Sequence, residues 1–423
     1  MSSRKIISVI ILTITLFYGG CTSSNSAATI ETFGAVQSWT SPYWGYNAPK
    51  IIRNEKGEIW TVIFMGKYGE QKAQIMKRDV SGIWHKGKIF DQLYQPGMLF
   101  LDNEGRINYI QNSQYDPIEH YRSSDAENLN NFSLVSRGNG VQDGRGWYVG
   151  VGIHESVIYL SYVTLQYDLF LTWKNVTDSS WHEAILIEPG LIDTASGNHS
   201  WLYPRFNFKG DKGYITVSGT VDGSKYNTYD KVHLATFSLG NPAEFTKEIV
   251  FNGTVGYYSF SYDAIITSTN KFICGYNAGK YRYGDNRENV TPEGIYVSIK
   301  DIAGSAWTMS QVDDHTGGIA LHEGNDGTLY ALITRGSWDS DSKIVLKKSS
   351  DAGSTWETID TNVVRNIPHA QHPFFAQIVH SHSGSMPGAG INGVFSNHAN
   401  VNVKDGLYDF ELLYVHIDLS KYK

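Results

Sequence analysis

One eight-residue turn, S-S-D-A-G-S-T-W from Ser349 to Trp356, constrains the fold of this chain more than any other feature. It follows a β-type run at residues 343–348 and holds Ser, Asp, Gly, Thr and Trp in the order S-x-D-x-G-x-T-W. The Asp351 carboxylate can accept hydrogen bonds from N–H groups of the turn, and Gly353 can adopt a positive φ. The pattern therefore predicts a strand, a tight turn and a returning strand on which Trp356 packs.

Weaker copies of this turn recur along the chain, and each ends in an aromatic residue that would pack on a sheet. The copies begin at Asp79, Asp125, Asn175, Asn241 and Asp301, and the closing aromatics are Trp84, Phe132, Trp181, Phe245, Trp307 and Trp356. These aromatics recur at roughly 50 to 60 residues, which is the period of four-stranded propeller blades rather than of helical repeats.

A second repeat lies half a period away and reads apolar run, glycine-containing turn, β-rich run. Its seven copies begin at Pro49, Pro96, Tyr148, Pro204, Tyr262, Gly318 and Pro373. Each copy reads as two strands joined by a turn, and no long window has a helical period. Both repeats predict an all-β, seven-bladed β-propeller of four-stranded antiparallel blades in residues 31–423. Residues 31–40 and 408–418 are expected to close one blade as its N- and C-terminal strands, which removes free sheet edges.

The first 21 residues have the pattern of an export signal. Arg4 and Lys5 precede an apolar run at residues 6–18 that is short for a membrane span, and Cys21 follows. This pattern resembles a bacterial lipoprotein signal in which Cys21 is lipidated, and residues 22–30 then read as a flexible tether. We expect an exported outer-membrane lipoprotein that touches the membrane only through its lipid, with Cys274 as a buried apolar residue.

Composition narrows the class of ligand. The chain has 42 glycines and 13% aromatic residues, which suits an all-β fold with many turns. Its formal net charge of −7 disfavours nucleic acid, which needs a basic face. An acidic polysaccharide or oligosaccharide remains compatible because a locally basic pocket suffices. The sequence thus predicts a monomer with a carbohydrate partner.

The repeat also predicts which residues gather at one end of the central channel, here called the mouth. In each copy of the second repeat, the strand before the glycine turn is the inner strand and the strand after it is the second strand. Residues just before each inner strand and just after each second strand lie on this face. Aromatic rings suit sugar faces, and arginine suits a carboxylate or sulfate. The expected substrate-binding residues are Tyr46, Tyr94, Asn112, Gln114, Trp147, Tyr258, Arg282, His315 and His372.

Two clusters carry candidate chemistry. In residues 198–206, His199 and Tyr203 flank the start of an inner strand. Residues 369–382 contain four histidines, of which His380 and His382 would share a strand face, as zinc ligands can. The sequence places no third ligand, so a structural zinc or calcium stays open and no metal site is assigned.

The turn at residues 349–356 is identified as the Asp-box of sialidase-like β-propellers. The sevenfold pattern of an aromatic or His residue, Pro, inner strand, glycine turn and second strand resembles the propeller polysaccharide lyases, including ulvan lyases and rhamnose–glucuronate lyases. Leu202-Tyr203-Pro204 is similar to their Tyr-Pro motif, whose tyrosine serves in proton transfer. The chain departs from them at residues 93–94 and 112–114, where those families carry histidines, and at residues 218–219, where they carry an arginine.

This resemblance implies β-elimination at a uronic acid. The reaction needs a base near neutrality for the C5 proton, an acid for the leaving oxygen, and a cation for the carboxylate. His199 as base and Tyr203 as acid, or the reverse, with Arg335 as the carboxylate clamp, would meet these needs if the three converge.

Four other functions stay open. A glycoside hydrolase of the same shape would need paired carboxylates, for which Asp263, Asp313 and Asp314 lie nearest. A sialidase needs three arginines on one carboxylate, and arginine is sparse at the mouth. A non-catalytic glycan-binding surface lipoprotein fits the missing family histidines. A protein-interaction scaffold would need broad exposed apolar patches.

Overall fold

A computed structural model gives the fold of the chain, whose described part consists of β-strands joined by turns with almost no helix. The structure describes residues 27–43, 45, 48–93, 95–112, 117–125, 128–138, 147–164, 167–193, 197–220, 231–253, 257–280, 294–315, 317–335, 342–367, 377–404 and 406–422. Two 3-10 helices occur within them, at Ser381–Ser383 and Leu419–Tyr422. No helix in this part of the chain is long and apolar enough to cross a membrane.

The strands form seven antiparallel sheets, which are numbered here as blades in chain order. Blade one consists of Ile51–Arg53, Ile59–Met65, Gln71–Arg78 and Trp84–Leu93; blade two of Gln95–Leu101, Ile107–Asn112, Glu119–Ser123 and Phe132–Arg137; blade three of Trp147–His154, Val157–Val163, Leu169–Asn175 and Ile185–Glu188. Blade four consists of Gly197–Lys209, Lys212–Thr220, Lys231–Ser238 and Phe245–Asn252, with a short extra strand Leu191–Asp193 on its first strand.

The remaining blades complete the ring. Blade five consists of an interrupted first strand, Tyr257–Tyr258 and Ser261–Ile266, then Lys271–Lys280, Gly294–Asp301 and Thr308–Asp313; blade six of Gly317–Glu323, Leu329–Arg335, Ser342–Ser349 and Glu357–Ile367; blade seven of Gln377–Ile378, Ile391–Lys404, Leu407–Ile417 and Ala28–Ser38. First strands of neighbouring blades contact one another from blade one to blade six. The predicted seven-bladed propeller of four-stranded antiparallel blades is confirmed.

Blade seven joins the two ends of the described chain, as predicted. Ala28–Ser38 pairs along its length with Leu407–Ile417, from Ala28 opposite Ile417 to Ser38 opposite Tyr408. The strand Ala28–Ser38 therefore begins inside segment 22–30, which the sequence predicted to be a flexible tether. Thr29 and Ile30 have ladder partners there, so the tether assignment is wrong for residues 28–30. The leader, Cys21 and the rest of that segment lie outside the described residues.

Apolar side chains fill the spaces between neighbouring blades. Between blades five and six, Ile273 and Val297 meet Ile319 and Ile333, all at most 3% exposed. Among the described residues, the five largest fully buried side chains all lie on second strands of blades, and they are Trp60, Tyr109, Tyr162, Tyr276 and Tyr330. Burial of such rings stabilises the fold by about 2–3 kcal/mol each. The blades are thus held by face-to-face packing, which leaves the channel ends for polar groups.

The turn at residues 349–356 has the hydrogen bonds that its sequence predicts. Asp351 accepts from the Thr355 N–H at 2.9 Å and from its hydroxyl at 2.7 Å, and Gly353 has φ +92°. The Trp356 indole donates to the Gly353 carbonyl at 2.9 Å and packs on the core between blades five and six. The hydrogen bonds that Asp351 accepts, with the one from the Thr355 hydroxyl having the largest effect, lower its pKa to about 2. The turn lies at the end of the sheet opposite the mouth.

A long connection in blade seven closes the lower end of the channel. Residues 379–390, here called the plug, link the first strand of the blade to its second strand. Ser385 and Met386 bond Arg53 of blade one, and Gly384 lies against Leu101 of blade two. The expected strand placement of His380 and His382 is wrong, because the strand ends at Ile378 and the chain turns into the channel.

Candidate functional site

The direction of the inner strands fixes the two ends of the channel. In blade four the inner strand enters near Tyr203 and ends at the Lys209–Lys212 hairpin, and in blade three it runs from Trp147 to the His154–Val157 hairpin. The mouth is therefore the end where inner strands begin. The hairpins and the plug form the opposite end, here called the lower face. A strand of six residues separates the two by roughly 20 Å.

A β-bulge occurs near the start of several inner strands. The pairing register shifts by one residue between Leu202 and Arg205 in blade four and between Trp147 and Gly150 in blade three. Tyr203 and Tyr148 occupy the same place within these two bulges, and both have a positive φ, at 60° and 45°. Such bulges re-aim side chains and are frequent beside active sites.

The bulges bring aromatic rings from three blades together. The Tyr203 ring meets Tyr148 edge-on at 4.7 Å between centroids and Phe260 of blade five at 5.8 Å. Tyr203 is only 7% exposed, and Tyr148 and Phe260 are half-buried. The neighbouring rings hold the phenol of Tyr203 in one direction at the inner wall of the mouth.

A second polar group at the mouth surrounds Asp313, at the end of blade five. Arg335 donates from Nη2 to Asp313 Oδ2 at 2.6 Å and from Nε to both oxygens within 3.1 Å, and Lys347 lies 3.0 Å from Oδ2. His315 Nδ1 lies 2.7 Å from Asp314 and 3.1 Å from Asp313. Arg335 Nη1 has no hydrogen bond among the described residues, so one edge of the guanidinium stays available to a ligand.

The electrostatics of this group favour its ionised form. Burial opposes ionisation of Asp313, but hydrogen bonds from Arg335 and Lys347 outweigh burial and lower its pKa. The hydrogen bond with His315 lowers the pKa of Asp314. Asp313, Asp314 and His315 are also the one group in the described chain whose ligand atoms lie within 4.8 Å of one another, as a metal site would require. Arg335 and Lys347 already neutralise Asp313, which weakens the case for a cation there.

The remaining predicted site residues are only partly described. His199, Asn112, Trp147 and Tyr258 lie on strands that border the mouth, and their side chains are outside the described part. Five more predicted residues lie outside the described residues, namely Tyr46, Tyr94, Gln114, Arg282 and His372. Tyr203 and Arg335 are both placed, in blades four and six, without a contact between them. Convergence of His199, Tyr203 and Arg335 stays a prediction.

A buried ion pair below the mouth was missed by sequence reasoning. Arg205 Nη2 lies 2.7 Å from Asp263 Oδ1, and the plug's His380 Nε2 lies 3.2 Å from Asp263 Oδ2. The backbone N–H of Leu321 in blade six donates a hydrogen bond to Asp263 Oδ2 at 2.7 Å. Burial alone would raise the pKa of Asp263, but Arg205 and His380 together lower it. Three blades and the plug meet here only in the folded ring. No local sequence pattern therefore predicts this ion pair.

Three further buried groups have a strongly shifted pKa. Burial lowers the pKa of Lys50 to about 7, and its ammonium donates to the Gly97 carbonyl of blade two at 3.0 Å. Burial also lowers the pKa of His322 to about 4. Cys274 is fully buried as predicted, and burial raises the pKa of its thiol to about 12. Lys50 directly precedes the inner strand of blade one and so lies at the mouth end of the channel, whereas His322 lies near the lower end of the inner strand of blade six and Cys274 on the second strand of blade five.

Comparison with known proteins supports the architecture. No model of a known protein family matches this chain, and no curated protein sequence matches it. Among solved structures, it is similar to an ulvan lyase of polysaccharide lyase family PL25, at a TM-score of 0.66 and 13% identity over 91% of this chain and 96% of that one. The same values hold for that lyase bound to -[GlcA(1-4)Rha3S]-. The polysaccharide lyase Uly1 is similar at a TM-score of 0.55 and 9% identity, covering 88% of this chain and 90% of that one.

Proposed function

We propose that this protein is a polysaccharide lyase that cleaves a uronic-acid-containing, acidic polysaccharide by β-elimination. The observation that carries the proposal is Tyr203, which is held by a strained bulge and two neighbouring rings at the inner wall of the mouth. A lyase needs a positioned proton donor or acceptor of this kind beside a cationic group. The propeller polysaccharide lyases to which the fold is similar give the reaction class as an analogy.

The proposed reaction uses three groups. A base takes the C5 proton of the uronate, the C4–O4 bond breaks as the C4=C5 double bond forms, and an acid protonates O4. His199 and Tyr203 are assigned the base and acid roles, in one order or the other. Arg335, through its available Nη1 edge, is assigned to the substrate carboxylate, where a cation stabilises the negative charge that develops.

The described carboxylates disfavour glycoside hydrolysis. A hydrolase requires one carboxyl group whose pKa is raised so that it can act as an acid. The pKa values of Asp263, Asp313 and Asp314 are all lowered, by Arg205 and His380 for the first and by neighbouring donors for the others. None of the three can supply a proton at neutral pH.

The direct test is ultraviolet absorbance of the unsaturated uronate. Purified protein is mixed with a panel of uronate polysaccharides that includes ulvan, and absorbance and reducing ends are followed together. Rising absorbance with new reducing ends supports the lyase. New reducing ends without absorbance would mean hydrolysis, and binding without either signal would mean a glycan-binding protein.

We also propose export as an outer-membrane lipoprotein through Cys21. This rests on the sequence pattern of residues 1–21, which lie outside the described structure. Labelling with a fatty acid in a bacterial host should mark the wild-type chain and leave Cys21→Ser unmarked. Equal labelling of both chains would contradict the proposal.

A further inference from the structure

The lower face holds a cavity that the proposed reaction does not use. Its volume is about 370 Å³, within the roughly 300–1,000 Å³ of small-molecule sites. The walls are the ends of the inner strands of blades two to five, and one side is the plug. Asn207, which lines it, lies four residues beyond Tyr203 on the same strand and therefore roughly 13 Å away. The cavity and the mouth are thus separate sites at opposite ends of one channel.

Two polar side chains on its wall have no hydrogen bond among the described residues, and in Asn207 the unpaired atom itself is buried. Asn207 is 7% exposed, and its Nδ2 has no hydrogen-bond partner within the described residues. His382 is 5% exposed, and in the same part of the chain its ring stacks on His380 without accepting or donating a hydrogen bond. A buried polar group without a partner costs about 1–3 kcal/mol. Both groups line the cavity, so an occupant with hydroxyl groups could satisfy them.

The charges that line the cavity disfavour an acidic occupant. No lysine or arginine is among the described residues that line it. Asp102 is a buried wall residue whose charge is compensated by Arg122 at 2.7 Å. Glu155 is exposed at the rim and forms no ion pair among the described residues. The described lining of the cavity therefore carries the uncompensated negative charge of Glu155, in contrast to the arginine and lysine that face Asp313 at the mouth.

The shape and remaining chemistry indicate the ligand class. Phe208 offers an aromatic surface beside His154, with 5.6 Å between ring centroids. Burial keeps the pKa of His382 well below its usual range, so at neutral pH its imidazole offers one donor and one acceptor. Asn207 adds an amide donor, and Glu155 adds an acceptor. An aromatic face with mixed donors and acceptors is the composition of sugar sites.

We propose that this cavity is a second carbohydrate site, which binds one neutral sugar ring at the face opposite the mouth. The cavity would bind a neutral sugar residue of a glycan, and acidic sugar residues would bind at the mouth. The site does not depend on the lyase proposal, because none of its residues is assigned to catalysis.

The test compares two sugars that differ only at C6. Saturation-transfer NMR on the full chain uses D-glucose and D-glucuronate, with L-rhamnose and D-xylose as further neutral probes, up to about 10 mM. Glucose or another neutral sugar should give a signal at the cavity, and glucuronate should bind at the cavity at least about tenfold more weakly because of Glu155. Asn207→Leu should abolish the signal, while Tyr203→Phe at the mouth should leave it unchanged.

A second variant guards against misfolding of Asn207→Leu. Glu155→Gln changes an exposed side chain and should narrow the preference for glucose over glucuronate by about fivefold or more. Absence of signal from every neutral sugar would mean that the cavity holds water only. A glucuronate signal that Asn207→Leu removes as fully as it removes the glucose signal would also overturn the proposal, as would a glucose signal that survives Asn207→Leu in folded protein. Glucuronate bound at the mouth keeps its signal in Asn207→Leu and is thereby told apart. Lyase activity is measured separately, so its failure and the failure of this site are distinguishable.

Discussion

Arg205 and Asp263 form an ion pair between blades four and five, with 2.7 Å from Nη2 to Oδ1, and their side chains are only 5% and 2% exposed. The same carboxylate also contacts the His380 imidazole of the plug and accepts a hydrogen bond from the Leu321 N–H of blade six. One buried charge therefore ties three blades to the segment that closes the channel. Because a buried pair is strongly destabilised when one partner is lost, this contact sets a clear expectation for mutation.

Asp263→Asn should lower the free energy of unfolding by about 3–5 kcal/mol, because it leaves the Arg205 charge buried without a counter-ion. Urea denaturation followed by tryptophan fluorescence measures the change. The matched control is Asp211→Asn at an exposed turn, which should stay within about 0.5 kcal/mol. Equal stability of the two variants would show that Asp263 does not hold the channel together.

Acid should weaken the fold through the buried His322. Its folded pKa is about 4, below the usual unfolded value near 6.5, so between these pH values the unfolded chain binds a proton that the folded chain does not. Stability contributed by the neutral imidazole is therefore present above pH 6.5 and is lost as the pH falls toward 4. For His322→Gln, the loss of stability between pH 6.5 and 4.5 should be smaller than in wild type by about 2 kcal/mol. Identical pH dependence in both proteins would contradict this.

The repeat in the sequence was sufficient for the fold, because each blade is a local unit with its own turn chemistry. Asp351, Gly353 and Trp356 make the contacts that their spacing predicts. The plug could not be predicted, since residues 379–390 have neither period nor turn signature, and strand character was wrongly extended to His382. Likewise, Arg205 and Asp263 are 58 positions apart and meet only because two first strands become neighbours in the ring.

Tyr203→Phe should reduce kcat by about 10²–10⁴ on whichever uronate polysaccharide the absorbance test identifies, because it removes the proton that the phenol transfers. KM should change little, since the ring keeps its contacts with Tyr148 and Phe260. Tyr148→Phe, at the same bulge position one blade earlier, is the control and should retain activity within about threefold. Equal losses in both variants would point to packing rather than proton transfer.

Arg335→Lys should lower kcat/KM at least about tenfold, because lysine keeps the charge and loses the planar fork that can serve Asp313 and a substrate carboxylate together. Arg106→Lys, at a partly exposed turn of the lower face, makes the same chemical change away from the mouth and should be silent. Initial rates on the same substrate compare the three proteins. Full activity of Arg335→Lys would remove Arg335 from the proposed mechanism.

Gly384→Ala should destabilise the protein more than backbone strain alone explains. Gly384 has φ +72°, and a Cβ there would lie 2.0 Å from the Leu101 carbonyl oxygen, so the plug would have to move away from blade two. Gly210 also has a positive φ, at 60°, but a Cβ there would meet nothing within 4 Å. Gly210→Ala should therefore cost only the strain of about 1–2 kcal/mol, and Gly384→Ala should exceed it by about 1–3 kcal/mol. If urea denaturation gives the two variants equal stability, the plug can move away from blade two without a loss in the free energy of unfolding. Its contact with blade two then does not help to close the channel.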